Sequence, residues 1–330
     1  KWTCLMATHP APLNAITGEG VGAHQTHGAH SPHKGHAGVP SSRSICLHAF
    51  KKMFSSKRAN QAALLTGSCC ASHPDKSRSE DVLVISTCCG MTLMGVLDGV
   101  GEWTERGVDA SLYPRKLENF LKDEFTTWAQ GHARKGDVVP PKGDTQPLRD
   151  ILVRAHRRLQ KLELRGSTTA CLAMLFPNGQ LHVLNLGDSG LRVVRDGVQI
   201  FETESQRVSF NAPKQLGYDV GEEGSYDSPQ DSSYNVITLQ SRDAILIASD
   251  GLWDNVWDKE WQADVVKVFR ARNAPAGAAL AGLAAELCSK AQRYGCDMTY
   301  ESPFAVQARA EGEEGGGKLD DTTILVGCVA

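Results

Sequence analysis

Short apolar runs and helix-length stretches alternate over residues 80–330. Runs at 82–86 and 91–97, separated by Cys89-Gly90, predict the neighbouring strands of a hairpin. Leu117, Phe120, Leu121, Phe125 and Trp128 share one face of a predicted helix over 117–132. Leu148, Ile151, Leu152, Ala155, Leu159 and Leu162 repeat that spacing over 148–164. Strands are expected next at 168–176, 181–185, 191–195 and 198–202. The last two are joined at Asp196-Gly197, a pair that tolerates positive φ. Strands at 234–239 and 244–248, helices at 258–271 and 276–293, and a strand at 323–329 complete the pattern. Residues 102–109 read as a loop and 203–233 carry few regular signals. Within them 217–233 is an acidic, Gly- and Ser-rich excursion, lying over a site or on the surface, and 294–318 is a long insertion. Helices gathered between groups of antiparallel strands argue for layered α+β architecture, not a doubly wound parallel sheet.

Carboxylates punctuate these strands at their ends. MTLMGVL runs into Asp98-Gly99, AILIAS into Asp250, and HVLNLG into Asp188. Asp320 and Asp321 stand just before the final run, and Glu80 and Asp81 just before the first. Antiparallel pairing of the first two strands brings Glu80, Asp81 and Asp98 to the same end. A single aspartate there more often caps a turn; the set reads better as one site for a hard divalent cation, magnesium or manganese, which prefers oxygen ligands. Gly99, lacking Cβ, lets its own carbonyl approach such an ion. Rival chemistries lack their signatures. There is no GxxxxGK[ST] phosphate loop and no kinase set. Ser189 lies in Gly-Asp-Ser-Gly without the GxSxG elbow.

At 330 residues, 41% hydrophobic and 22% charged, the chain can bury one large core or two small ones. A formal net charge of -3 gives no expectation of nucleic-acid binding, and no apolar run reaches membrane-spanning length. None of the 10 cysteines forms a CxxC pair, which reads as free thiols in a reducing compartment. Residues 1–42 are a low-complexity extension in which His24, His27, His30, His33 and His36 recur every third position. Such a tract can collect zinc, nickel or copper loosely, but with no carboxylate or cysteine partner in it the tract reads better as a low-complexity linker. Residues 43–79 form a basic lead-in. Its Lys51, Lys52, Lys57 and Arg58 lie on a helix or loop, solvated or turned to acidic lipid or a partner, and 69–78 read as a loop. The folded domain is expected over 80–330. Starting at Lys1, the chain is expected to be a fragment, a processed product or part of something longer, and no targeting signal is read from it.

Several motifs together resemble the metal-dependent protein phosphatase family, type 2C, in its mitochondrial and chloroplast branch. They are GVLDGVGEWTERGVD, GSTTACLAMLF, LHVLNLGDSGLRVVRDG, ILIASDGLWDN, Ser302-Pro303-Phe304 and GGKLDDTTILVG, and they span residues 80–330. The resemblance implies an αββα sandwich of two antiparallel sheets flanked by helices. It implies two magnesium or manganese ions bridged by Asp98, the first also bound by the Gly99 carbonyl, with Glu80 acting through a metal-bound water. Asp250 and Asp320 would bind the second, with Asp81 and Asp321 supporting by hydrogen bonds. Asp188 and Asp254 match residues that can hold a weaker third ion. Water would attack phosphorus directly, without a phosphoenzyme. Two positions depart from the broader family. Val100 replaces a histidine placed to assist the leaving group, as the organellar branch also does. Lys76 stands where an arginine holds the substrate phosphate, keeping the charge but losing the bidentate fork, with Arg78 nearby as a substitute. The implied activity is a phosphoserine/phosphothreonine phosphatase acting on a phosphoprotein. The alternatives are a catalytically weak subunit of a larger assembly and, more remotely, an unrelated metal hydrolase. The branch implies a mitochondrial location, with the cytoplasm as the alternative.

Overall fold

A computed structural model of the protein describes residues 64–134, 146–221, 225–270 and 275–330. The chain divides into Lys1–Ala59 and Asn60–Ala330, and the first unit lies wholly outside the described residues, as do the histidine tract and the basic cluster from Lys51 to Arg58. The strands in order are β1 (Leu64–Ala71), β2 (Val82–Cys88), β3 (Met91–Leu97), β4 (Gly166–Thr168), β5 (Ala170–Leu175), β6 (Gln180–Leu186), β7 (Gly190–Arg195) and β8 (Val198–Glu202). They continue with β9 (Arg207–Ser209), β10 (Ala212–Pro213), β11 (Leu216–Tyr218), β12 (Ser233–Thr238), β13 (Ala244–Ala248) and β14 (Thr322–Val329). The helices are α1 (Glu102–Glu105), α2 (Leu112–Arg134), α3 (Pro147–Gln160), α4 (Asp250–Trp253), α5 (Asp258–Phe269), α6 (Gly277–Gly295) and α7 (Pro303–Ala310).

Two five-stranded sheets, ordered β1-β14-β13-β7-β8 and β12-β6-β5-β3-β2, are antiparallel throughout. Their strands are apolar on both faces, and the alternation sorts each face to a different layer. On β13, Ile245 and Ile247 join the cluster between the sheets, while Ala244, Leu246 and Ala248 face helices. On β3, Met94 and Val96 face the other sheet and Leu93 and Leu97 face α2 and α3. Leu117, Leu121, Phe125, Ile151 and Leu152 complete one helix-covered layer. Trp261, Val265, Leu280, Leu283 and Leu287 of α5 and α6 complete the other. This is the four-layer αββα sandwich that the sequence led us to expect. Each fully buried Leu or Ile contributes about 1.5–3 kcal/mol of transfer free energy. Two hairpins are set by two-residue turns with positive φ at both positions, Cys89-Gly90 (52° and 78°) and Asp196-Gly197 (50° and 84°).

The structure corrects the expected elements in several places. Residues 64–71, expected as lead-in and loop, form β1, an edge strand paired with β14 along its whole length. Its sequence LLTGSCCA is poor in β-branched residues because α6 crosses directly over it. A Cβ on Gly67 would come within 2.1 Å of the Ala281 nitrogen, so small residues are required there. The strand expected over 168–176 is broken at Thr169, with β4 pairing to β11 and β5 joining the main sheet. Residues 102–109 contain α1, 203–233 contain β9, β10, β11 and a 3-10 turn at Pro229–Asp231, and 294–318 contain α7. Cys171, Cys288 and Cys328 are buried and pack as small apolar side chains. Among the described residues no helix is long and apolar enough to cross a membrane.

Candidate active site

Register alone gathers the strand-end carboxylates. Val82 pairs with Leu97, so Glu80 and Asp81 at the start of β2 adjoin Asp98 at the end of β3. Ala248 pairs with Ile324 and Gly190, so Asp250, the Asp320-Asp321 pair and Asp188 meet at one end of the other sheet. The two ends face each other: Ser249 Oγ donates to Asp81 Oδ2 at 2.8 Å, and the charge of Asp250 acts on Asp98. The break at Thr169 serves this edge. Its N–H donates to the Asp98 carbonyl at 2.9 Å and Thr168 Oγ1 to the same oxygen at 2.8 Å, which fixes the Asp98 backbone. Gly99 has a further reason to lack a side chain. A Cβ there would stand 2.7 Å from the Glu80 carbonyl oxygen and 2.9 Å from that of Ala110, so the glycine lets two backbone segments close on it.

One half of the edge is organised by Lys76 and Asp321. Lys76 Nζ lies 2.5 Å from Glu80 Oε2, 3.1 Å from Asp321 Oδ2 and 4.0 Å from Asp320 Oδ1. Asp321 also accepts the His73 N–H at 2.6 Å and the Glu80 N–H at 2.8 Å, binding the segment before β2 to the start of β14. Thr104 Oγ1 of α1 donates to Glu80 Oε1 at 3.0 Å. Asp81 Oδ1 is buried with no hydrogen-bond partner among the described residues. Arg78 points elsewhere and pairs with Asp109, the residue whose carboxylate accepts the Ser111 N–H at 3.0 Å where α2 begins.

The other half centres on Lys318, delivered by the Gly315-Gly316-Gly317 turn. Its ammonium pairs with Asp250, reaches Asp254 Oδ2 at 2.8 Å and stands 3.8 Å from Asp320 Oδ2. Arg207 lies beside it, its Nε 3.1 Å from Asp188 Oδ2 and its Nη2 3.3 Å from Asp254 Oδ1.

Burial and mutual repulsion dominate the electrostatics. Burial first, then the charges of Asp81, Asp250, Asp320 and Asp188, push Asp98 well above the usual carboxylate range. Burial and Asp250 raise Asp320 to about 7, and burial and Asp250 raise Asp188 to about 6. Burial and the charge of Asp321 raise Asp81 to about 7. Asp250 is the exception: burial opposes its ionisation, but Lys318 overcomes that and holds it below the usual range. The carboxylates therefore demand more positive charge than Lys76, Lys318 and Arg207 supply.

The structure brings together Glu80, Asp81, Asp98, Gly99, Asp188, Asp250, Asp254, Asp320, Asp321 and Lys76, all anticipated from sequence, and leaves Arg78 at the rim. Sequence reasoning missed Lys318, although it stands inside the quoted GGKLDD motif, and Arg207, which sits in a stretch with no pattern to mark it. An all-oxygen donor set with an orphaned Asp81 oxygen suits magnesium or manganese. In this structure, however, the ammoniums of Lys76 and Lys318 are interleaved with the acids. Among the described residues no group of three or more His, Cys, Asp and Glu side chains is arranged as a ready cation site.

Comparison with known proteins bears on these motifs. The family profile described as protein phosphatase 2C matches residues 26–287, a range that includes Glu80, Asp98, Asp188, Asp250 and Asp254. Probable protein phosphatase 2C 80 of Arabidopsis thaliana is 36% identical over 270 residues, covering 81% of this chain and 58% of the relative. Probable protein phosphatase 2C 55 of the same plant is 35% identical over 274 residues, covering 81% of this chain and 52% of the relative. The chain thus spans little more than half the length of these two curated relatives. Among solved structures, that of the photosystem II phosphatase PBCP superposes with a TM-score of 0.65 at 26% identity, covering 81% of this chain and 99% of that one.

Proposed function

The chain belongs to the protein phosphatase 2C family, and on that premise we propose that it is a metal-dependent phosphoserine/phosphothreonine protein phosphatase working at the Asp98 edge. The observation that carries the reading is the convergence of Asp98, Asp188, Asp250 and Asp320 from separate strand ends, each raising the charge demand of the others. Asp98, the Gly99 carbonyl and Glu80 would hold one magnesium or manganese ion, and Asp98, Asp250 and Asp320 a second. When bound, such ions supply Lewis acidity toward the phosphoryl oxygens and lower the pKa of water.

The chain's own residues supply the rest. Asp81, held by Ser249, and Asp321, held by two backbone N–H groups, fix the segments that carry the ligands. Lys76, 28% exposed at the cleft, offers an ammonium for a substrate phosphate that would displace it from Glu80. Arg78 lies farther out, where a longer phosphopeptide would meet it. Val100 beside Asp98 carries no proton, so the leaving alkoxide takes its proton from water rather than from that side chain. The substrate is a phosphoprotein and the compartment is the mitochondrion, on the motif resemblance to the organellar branch.

A second reading, a catalytically weak subunit of a larger assembly, is favoured by one observation: Lys76 and Lys318 already pair with the proposed ligands. A phosphothreonine-peptide assay separates the two. Turnover should require manganese or magnesium, stop with chelator and be lost in Asp98→Asn and Asp250→Asn. Turnover retained by both variants would place the chemistry elsewhere, and no turnover with either cation would favour the subunit.

A further inference from the structure

Asp188 and Asp254 are the pair that family resemblance connects with a third ion. In this chain both carboxylates are already spoken for. Each oxygen of Asp254 has a cationic partner, Oδ2 with Lys318 Nζ at 2.8 Å and Oδ1 with Arg207 Nη2 at 3.3 Å. Asp188 Oδ2 faces Arg207 Nε at 3.1 Å. We infer that Lys318 and Arg207 together take the place of a third cation, so that the centre is complete with two ions and has no third site. The inference rests on the binuclear reading above.

Both cations are held in place by contacts from separate parts of the fold. The Asn255 side chain clamps the Lys318 backbone from both sides: Lys318 N–H donates to Asn255 Oδ1 at 2.9 Å, and Asn255 Nδ2 donates to the Lys318 carbonyl at 2.7 Å. The preceding turn runs so close to α6 that a Cβ on Gly317 would overlap the Tyr294 carbonyl oxygen at 1.9 Å, which denies the segment another path. The Lys318 stem also passes Phe304, whose ring centroid is 5.4 Å from Nζ. Arg207 donates to Gln307 Oε1 of α7 at 2.8 Å, and the β9–β10 hairpin, which Arg207 begins, is pinned by Phe210 against Phe304, with ring centroids 5.2 Å apart. The fold thus aims an ammonium and a guanidinium at the same carboxylates from two independent segments.

Charge accounts for the outcome. Asp188, Asp250 and Asp254 carry three negative charges when ionised, and Lys318 and Arg207 return two. Lys318 is shared between Asp250 and Asp254, and Arg207 between Asp188 and Asp254, so one negative charge is left over across the three. A divalent ion between Asp188 and Asp254 would have to displace a guanidinium that ties both together and an ammonium with 16% side-chain exposure. It would meet both at short range, where repulsion is least screened.

Calorimetric titration of the metal-free chain with manganese tests the inference through ion count. The wild-type chain should bind two ions, and Asp254→Asn should leave that count unchanged. Lys318→Met combined with Arg207→Gln should raise it from two to three, and adding Asp254→Asn should return it to two. A wild-type count of three that falls to two in Asp254→Asn overturns the inference and leaves the binuclear reading intact. So does a double variant that folds and stays at two. Should the double variant not fold, the wild-type and Asp254→Asn counts still decide. A wild-type count below two contradicts the binuclear reading itself, a separate failure.

Discussion

β13 changes character within a few residues. Ile245 and Ile247 are fully buried between the sheets, where Ile247 pairs with Leu325 of β14. The chain then passes through Ser249 to Asp250, which pairs with Lys318 and feels the charge of Arg207. The seam between the sheets gains stability from leaving water. The acidic edge, at the ends of the same strands, gives up stability by crowding carboxylates that would be better solvated apart. The first region holds the second in place, and on the function proposed above the second contributes the chemistry.

Substitutions should therefore separate the two regions cleanly. The largest effect belongs to Asp98→Asn, which should lower metal-dependent turnover by at least about a thousandfold, ~4 kcal/mol in the barrier. Metal-free thermal stability should stay level or rise, because a carboxylate held far above its usual pKa is relieved. Ile247→Ala should do the reverse, costing about 2–5 kcal/mol in denaturant unfolding while leaving turnover per folded molecule near wild type. An interior variant that lost activity without losing stability would erase the distinction.

The helix-covered side of the core carries its own pH signature. His156 of α3 is 5% exposed, with Nε2 3.2 Å from the Tyr113 hydroxyl, and burial lowers its pKa from 6.5 to about 4. The unfolded chain takes up this proton near pH 6.5, whereas the folded chain resists until about 4. Folding stability should therefore decline as pH falls through that window, by up to about 3 kcal/mol. Unfolding curves of His156→Phe should lack that part of the slope. The smallest effect sits at the cleft mouth. Lys76→Met should raise KM for a phosphopeptide by about tenfold, ~1.4 kcal/mol, and Lys76→Arg should restore most of it.

Most of this arrangement was legible before the structure. Short apolar runs and the Asp-Gly and Cys-Gly turns located the strands, and the carboxylates at strand ends located the edge. What escaped had physical reasons. β1 carries small residues because α6 lies over Gly67, and as an edge strand it is half exposed, so it carries no strong hydrophobic signature. The break at Thr169 depends on a hydrogen bond to Asp98, 71 residues away, and no local pattern encodes it. Arg207 reaches the site through a ribbon whose short strands show no periodicity. Lys318 lay inside a recognised motif, but which carboxylates it would meet depended on the path of the glycine turn before it.

The central claim is that the Asp98 edge is a metal-dependent phosphatase centre. Its most direct test is one titration of the metal-free chain with manganese, following bound ions and phosphothreonine-peptide turnover in the same samples, for wild type and Asp98→Asn. The account predicts that wild-type turnover appears only as the second ion binds, and that the variant loses both that ion and the turnover. Turnover at zero manganese, or turnover in Asp98→Asn matching wild type, would contradict it.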